Sequence, residues 1–431
     1  MAPTYDSRLK TTTTTAPFLP SEIITDEIFP KLPAKSLVRF KCVSKFYNTL
    51  ISSPEFIEIH LRQSLSSDSN RLLIVSKENN PNLYSFDIDS PNSSTTASTI
   101  ALPKTLGGWL EGNVSIIGSF NGLICVGLTL YEGEPHESSI QVLINPSTGL
   151  FREIPYNSLS VEGEFRVSFG FGYDDVNHDY KIVRVTENAM HYCPYAGYDL
   201  INREVTVYSL NQNKWKLVEF VRRPKASLDL FQKGLFMRNH LLHWVFWDSF
   251  TYHIYCFDTR SDKWVNEVPL MELFTCRIAE FDEEYEDTVV RVMSLGVIQE
   301  CLCVSTCTNL SCDVWIMKEY GVKESWVKLF EISGFLEFSH IFVHSSFSFR
   351  LRSKDEVLVR KMGKRGLFWC KIGSENYGET EEIEGIPDFE QACFFKGSLV
   401  PVPGGEKIQA SAEDEEEMPH EDEDEEEMPH Y

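Results

Sequence analysis

The chain has 431 residues, a formal net charge of −24, and 13% aromatic residues. Its length allows two or three domains, and the aromatic content favours β structure. Residues 411–431 carry twelve acidic and no basic residues, so half the imbalance sits there and −12 remains for the rest. No Lys/Arg cluster outside one N-terminal stretch suits a phosphate backbone, which argues against nucleic acid. No apolar run approaches the roughly 18 residues of a membrane span, and the N-terminus has no signal-peptide pattern. Membrane insertion is therefore not expected. The eleven scattered cysteines then read as those of a reducing compartment, cytoplasm and/or nucleus.

Residues 1–17 are polar, with threonine at Thr11 to Thr15, and are expected to be disordered. Residues 18–65 are a short apolar-rich block with helical periodicity. Ile23, Ile24, Ile28 and Leu32 form a stripe that Pro30 interrupts, which limits the first helix to about Ser21–Phe29. A second helix is read over Lys35–Ser44, with Leu37, Phe40 and Val43 apolar. Phe46, Tyr47, Leu50 and Ile51 continue the spacing. Ser53-Pro54 is an N-cap and first-turn pair that opens a last helix to Leu65. So small a block seldom carries its own core, and some of its apolar side chains must meet a partner. Lys31, Lys35 and Arg39 lie four apart on one predicted face, with Lys41 and Lys45 nearby and no acidic residue between Lys31 and Lys45. That pattern is either a solvated face or a docking surface for an acidic protein.

After the serine-rich stretch Ser64–Asn70 the period changes to two. Leu72–Val75 and Leu83–Ile88 read as a hairpin. Similar units follow: Gly118–Gly127 with Ile140–Asn145 and Phe151–Pro155; Ser168–Val185 with Val205–Leu210 and Trp215–Phe220; Asn239–Val245 with Ile254–Asp258 and Trp264–Val268. Two more are Met293–Thr306 with Val314–Met317 and Trp326–Ile332, and Glu356–Arg360 with Leu367–Ile372 and Glu381–Ile386. Equivalent strand centres at Tyr84, Leu143, Tyr208, Cys256, Trp315 and Trp369 are 59, 65, 48, 59 and 54 residues apart. Spacing near 50 with about four strands per unit predicts propeller blades, with a twisted β-sandwich as the alternative. Trp215, Trp264 and Trp326 are read as rings packed between neighbouring sheets. From Pro401 the pattern ends. Pro401–Gly405 reads as a linker and residues 401–431 as a disordered acidic tail, in which EDEEEMPH occurs twice.

No catalytic or cofactor motif stands out. Cys301, Cys303, Cys307 and Cys312 lack the paired spacing of a zinc site, and the first three share one strand parity. Asp174, Asp175, His178 and Asp179 read as turn chemistry and His243 as a core histidine. His420 and His430 stand beside carboxylates but are not taken as metal ligands. The expectation is a non-enzyme with no cofactor and no metal.

Two stretches carry a family resemblance. Leu19-Pro20, Glu22-Ile23-Ile24, Ile28-Phe29, Lys31-Leu32-Pro33, Lys35-Ser36-Leu37, Arg39 to Lys45, Leu50-Ile51 and Ser52 to Phe56 resemble the F-box of plant F-box proteins. Tyr47 stands where that family usually has tryptophan, and Pro30 where it is normally helical. Gly118–Ile124, Asn145–Thr148, Phe169–Asp174, Asp179–Arg184, Val207–Leu210 with Trp215, and Leu242-His243-Trp244 resemble the F-box-associated, kelch-like domain of the same proteins, over about residues 70–400. The double glycine of true kelch repeats is missing from most units.

The resemblance implies a mainly β chain with an N-terminal α-helical F-box and a β-propeller-like body. It implies the substrate-recognition subunit of an SCF-type ubiquitin ligase, docked on a Skp-type adaptor and through it on a cullin. The adaptor contacts carried over are Leu19, Pro20, Ile24, Ile28, Leu32, Pro33, Leu37, Cys42, Val43, Tyr47, Leu50 and Ile51. Target contacts are expected on the loops Tyr131–Ser138, Met190–Tyr198 and Phe281–Asp287. The target itself is not legible; family members act on stylar ribonucleases in pollen recognition or on immune components. The alternative is a protein-binding module outside any ligase.

Overall fold

Serine caps open two of the helices of the N-terminal block. The computed structural model describes residues 20–67, 71–76, 82–88, 97–100, 102, 113–130, 138–155, 157, 165–193, 197–222, 226–228, 233–237, 239–248, 251–271, 291–307, 311–333, 351–353, 356–360, 367–372 and 380–407. A wide helical turn at Ile23–Ile28, in which the Phe29 amide reaches Ile24 O, tightens at Phe29–Lys31. Pro30 sits in the first positions of that tighter turn, where its missing N–H costs no bond. α1 is Ala34–Phe40, α2 Lys45–Ile51 and α3 Pro54–Ser66. Ser44 Oγ accepts the Tyr47 amide at 3.1 Å and opens α2. Ser53 Oγ accepts the Phe56 amide at 3.2 Å and, with Pro54, opens α3 as expected.

The body is built blade by blade. Blade 1 has β1 (Arg71–Ser76), β2 (Leu83–Asp87) and β3 (Ser98–Ile100). Blade 2 has β4 (Asn113–Phe120), β5 (Leu123–Leu130), β6 (Ser138–Asn145) and β7 (Leu150–Ile154). Blade 3 has β8 (Phe165–Asp174), β9 (Asp179–Cys193), β10 (Gly197–Ser209) and β11 (Lys214–Arg222). Blade 4 has β12 (Ser227–Leu228), β13 (Leu235–Phe236), β14 (Leu241–Trp247), β15 (Tyr252–Asp258) and β16 (Lys263–Val268). Blade 5 has β17 (Arg291–Ile298), β18 (Cys301–Cys307), β19 (Ser311–Met317) and β20 (Trp326–Ser333). Blade 6 has β21 (Glu356–Arg360), β22 (Leu367–Lys371) and β23 (Thr380–Glu382), and two last strands, β24 (Phe389–Phe395) and β25 (Glu406–Lys407), return to earlier blades.

Six sheets result, with strand orders that run outward one after another. The repeat pattern gives blade 1 no inner strand. β24 supplies it, pairing antiparallel with β1 from Arg71↔Phe395 to Ser76↔Phe389 and closing the ring. Neighbouring sheets share cores in cyclic order. Val75 and Val126 join blades 1 and 2, and Cys125 and Tyr208 join 2 and 3. Val205 and Trp244 join 3 and 4, Cys256 and Val304 join 4 and 5, and Leu358 and Phe86 join 6 and 1. The body is thus a six-bladed β-propeller, and the sandwich alternative is excluded.

The tryptophans lie between sheets, as expected. Trp264 packs in the core shared by blades 3 and 4. Trp215 Nε1 donates to Pro155 O at 2.7 Å and Trp326 Nε1 to Pro269 O at 2.9 Å. In both cases the indole at the head of one blade's outer strand ties down the chain as it leaves the preceding blade.

The expected linker at Pro401 is corrected. Residues 396–407 form a strap along blade 2 that ends in β25, paired with β7 through Glu406↔Phe151 and Lys407↔Leu150. Asn145 Nδ2 donates to Ser398 O at 3.2 Å and Val400 O at 2.7 Å, and Arg152 Nη1 to Pro403 O at 2.6 Å. Within the strap the Gly405 amide bonds Val402 O at 2.8 Å, but these bonds to blade 2 hold the rest of it, which is why local periodicity does not reveal it. Residues 1–17, Leu19 and the acidic segment 408–431, with His420 and His430, lie outside the described residues.

Candidate functional site

The helical block encloses a small core of Phe29, Ala34, Leu37, Ile51, Phe56 and, from the strap, Leu399. Among the expected contacts Leu37 and Ile51 are fully buried in that core, so their surface is already spent. Ile24, Leu32, Tyr47 and Leu50 are half-buried against it. Pro20, Ile28, Pro33, Cys42 and Val43 are exposed, Val43 to 65%. Phe46, outside the expected set, is 61% exposed. Its position one residue off the inward stripe of Tyr47, Leu50 and Ile51 is the signal that marks it. The aromatic chain Phe40, Phe29, Tyr47 and Phe46 runs from core to surface with centroid spacings of 5.2, 5.0 and 5.7 Å. Tyr47 thus keeps the packing role of an aromatic at its position.

The single basic stripe breaks up. Lys31 lies in the turn before α1 and pairs with Glu27 at 3.3 Å. Lys35 turns to the propeller and donates to Ser98 Oγ at 3.2 Å; burial, then the charges of Arg71 and Arg39, hold its pKa below the usual lysine value. Arg39, Lys41 and Lys45 remain at the corner between α1 and α2. The Lys41 pKa is lowered, first by partial burial and then by the charge of Lys407.

α3 and the strap fix the block to the propeller. Ile57 and Leu61 pack against the core shared by blades 2 and 3, where Val400 and Val402 are buried. Ser64 Oγ donates to Gly397 O at 2.9 Å, and Lys396 Nζ donates to Ser67 O. Buried His60 binds Leu32 O through Nε2 at 2.9 Å, and burial lowers its pKa against that bond. The exposed corner is therefore held at a set orientation to the blades.

At the end of α3 the inner strands open onto a cavity of about 230 Å³ lined by Leu65, Phe120, Phe236, Met237, Glu300 and Phe394 among others. Phe120 and Phe236 meet edge to face at 4.8 Å. Lys233 Nζ donates to Ile116 O and, at 2.8 Å, to Gln391 Oε1, joining β4 and β24. Burial pushes its pKa down to about 7, against the pull of the nearby Cys393 and Cys125. Such a cavity suits an apolar group with one polar end.

The other clusters are structural. Asp174 Oδ1 accepts the amides of Val176 and Asn177 at 3.1 and 3.0 Å. Asp175 takes a two-pronged grip from Arg260 in blade 4 at 2.5 and 2.6 Å. Asp179 accepts Ser209 Oγ at 2.5 Å and Asn211 N at 2.9 Å. His243 is fully buried between Leu235 O and Tyr320 OH, and Cys303 is fully buried, which pushes its thiol up. The side chains of Cys307 and Cys312, and residues 131–137, 194–196 and 281–287, lie outside the described residues. Met190–Cys193 and Gly197–Tyr198 prove to be strand, which narrows the expected loop to residues 194–196. Among the described residues no helix is long and apolar enough to cross a membrane.

The family described as F-box associated beta propeller domain matches residues 43–402. The F-box protein CPR1 of Arabidopsis thaliana is 32% identical over 400 residues, covering 89% of this chain and 88% of that protein. From the same plant, F-box protein At4g22390 is 28% identical, covering 93% of this chain and 94% of that protein. F-box/kelch-repeat protein At3g23880, also from Arabidopsis, is 27% identical, covering 86% and 93%. With six blades closed by β24 and a helical block docked on them, the chain belongs to the plant F-box proteins that carry an F-box associated β-propeller domain.

Proposed function

We propose that the chain is the substrate-recognition subunit of an SCF-type ubiquitin ligase. Its helical block docks on a Skp-type adaptor, which links it to a cullin, and the propeller holds a target protein. The observation that carries this is the exposed apolar corner of Cys42, Val43 and Phe46, the last two being the most exposed large apolar side chains among the described residues of the block. Contiguous exposed apolar side chains of this size mark a partner surface. Pro20, Ile28, Pro33 and the outer faces of Ile24, Leu32, Tyr47 and Leu50 extend the proposed contact, and Leu19, the residue before Pro20 in sequence, belongs to the proposed set. Leu37 and Ile51 support it from inside. The rigid seat of α3 suits the task, because transfer by proximity needs a set distance between target and ligase. The chain performs no bond chemistry in this reading.

The test is capture of a plant Skp-type adaptor, made with both the full chain and a chain ending at Lys407. Val43→Asp with Phe46→Asp is the control, its fold checked by circular dichroism. Loss of binding in the control is expected. If neither intact form binds an adaptor, the ligase reading fails and the propeller stands as a binding module on its own.

A further inference from the structure

The corner between α1 and α2 has a second feature. Among the described residues no carboxylate pairs with Arg39, Lys41 or Lys45, whereas Lys31 and Lys35 are already engaged. These three cations lie within a few residues in sequence of Val43 and Phe46, which are 65% and 61% exposed. The strap delivers the chain to this place. β25 pins Glu406 and Lys407 to β7, and Lys407 lies near enough to Lys41 for their charges to interact. Beyond Lys407 the sequence continues for 24 residues with twelve carboxylates, in two runs that each end in Met-Pro-His. The first acidic residue, Glu413, is six residues on, a reach of about 20 Å.

We propose that segment 408–431 docks in cis on the α1–α2 corner and competes there with the adaptor. Glu413–Glu417 and Glu421–Glu427 face Arg39, Lys41 and Lys45, and Met418 and Met428 cover Val43 and Phe46. Methionine suits such a cover because its unbranched thioether adapts to an irregular apolar surface. Opposite charge supplies the attraction, and the short tether raises the local concentration to the millimolar range. The competition half rests on the adaptor reading above; the docking half does not.

Two measurements test it. With a tail of roughly 0.1 mM intrinsic affinity, the chain ending at Lys407 is expected to bind the adaptor about tenfold more tightly than the full chain at low salt. The gap should close as salt approaches about 0.5 M. A full-length form with every tail Glu changed to Gln and Asp to Asn should behave like the shortened chain. Equal low-salt affinities, or a neutral tail that still weakens binding, overturns the competition. Independently, carbodiimide coupling of the full chain should join tail carboxylates to Lys41 or Lys45. Mixed light and heavy isotope copies should show those links within one chain. Links only to other lysines, or only between light and heavy copies, overturn the docking. If no form binds an adaptor, the competition falls while the coupling still decides the docking.

Discussion

Leu399 of the strap and Leu37 of α1 share one core, at 3% and 0% exposure. The block is therefore completed by residues from the other end of the propeller. Leu399→Ala should cost about 2–5 kcal/mol, the range for a leucine removed from a packed core. Because the cavity opens inside the block, the loss should fall on it first. Hydrogen exchange should quicken in α1 and α2 and stay slow in β9 and β10, and adaptor affinity should drop. Exchange that quickens equally in all blades would show that the strap stabilises the propeller, not the block.

In Phe169-Gly170-Phe171-Gly172, Gly170 makes room for Trp244 and Gly172 for Phe236 and Thr259. A Cβ on Gly170 would stand 2.7 Å from the Trp244 ring and 2.9 Å from Leu242 Cδ2. Gly234, bridged to Gly170, meets the same ring. Trp244 is fully buried and its Nε1 donates to Ser168 Oγ at 2.9 Å, so it has no room to yield. Gly170→Ala should destabilise by about 1–3 kcal/mol through overpacking. Adding Trp244→Phe should recover part of that loss, because the smaller ring leaves space. Urea midpoints of the two single variants and the double variant measure this, and simple additivity would refute the steric account.

Lys181 stitches blade 3 to blade 4. Its ammonium lies 3.1 Å from Asp174 and 2.8 Å from Asp262 and donates to Thr259 O at 2.6 Å. Burial works to raise the Asp174 pKa, but bonds from Asn177 and Lys181 outweigh it and hold the carboxyl below its usual value. Lys181→Met should cost roughly 3–5 kcal/mol, because it strands a buried carboxylate. The sign of the pH effect follows. A carboxyl with a depressed folded pKa contributes stability that is present above its unfolded value of 3.8 and is lost as pH falls through the folded one. The cost of Lys181→Met should therefore shrink below pH 3.8. Midpoints that keep the same separation at pH 7 and in strong acid would contradict it.

Much of this was legible in the chain because each blade is a local object. Alternation along Leu123–Val126 or Leu241–Val245 announces a strand, and Asn121-Gly122, both at positive φ, announces its turn. The family stretches turn out to be joints between blades. Asn145 holds both its own turn and the strap, Ser119 Oγ donates to Phe394 O at 2.9 Å, and Lys181 reaches the next blade. What stayed hidden is non-local. Nothing near Phe389–Phe395 states that it pairs with Arg71–Ser76, and Leu399 looks like the start of a linker until the block is set beside it. The same limit applies at the corner: helical spacing marks Leu37, Val43 and Ile51 alike as apolar, but only packing separates the two that are buried from the one that is exposed.

His243 should make the propeller sensitive to mild acid. Its Nδ1–H donates to Leu235 O at 3.2 Å and its Nε2 accepts from Tyr320 OH at 2.6 Å, so the neutral ring is satisfied on both sides. Burial pushes its pKa down to about 4, against the pull of the Leu235 and Leu241 carbonyls. The unfolded chain takes up that proton near 6.5, so between 6.5 and 4 it binds more protons than the native state and stability falls with pH. The loss across the window is about 3 kcal/mol. His60 is shifted in the same direction by burial. His253 works the other way: burial would lower its pKa, but Glu267 and Asp248 raise it, so its contribution is fullest below its unfolded value and fades as pH rises. His243→Gln should remove close to one proton from the slope of unfolding free energy against pH between 6.5 and 4. Urea midpoints taken at pH 7.5, 6 and 4.5 measure that slope. Parallel slopes in the two proteins would mean that His243 takes up its proton without unfolding the blade around it.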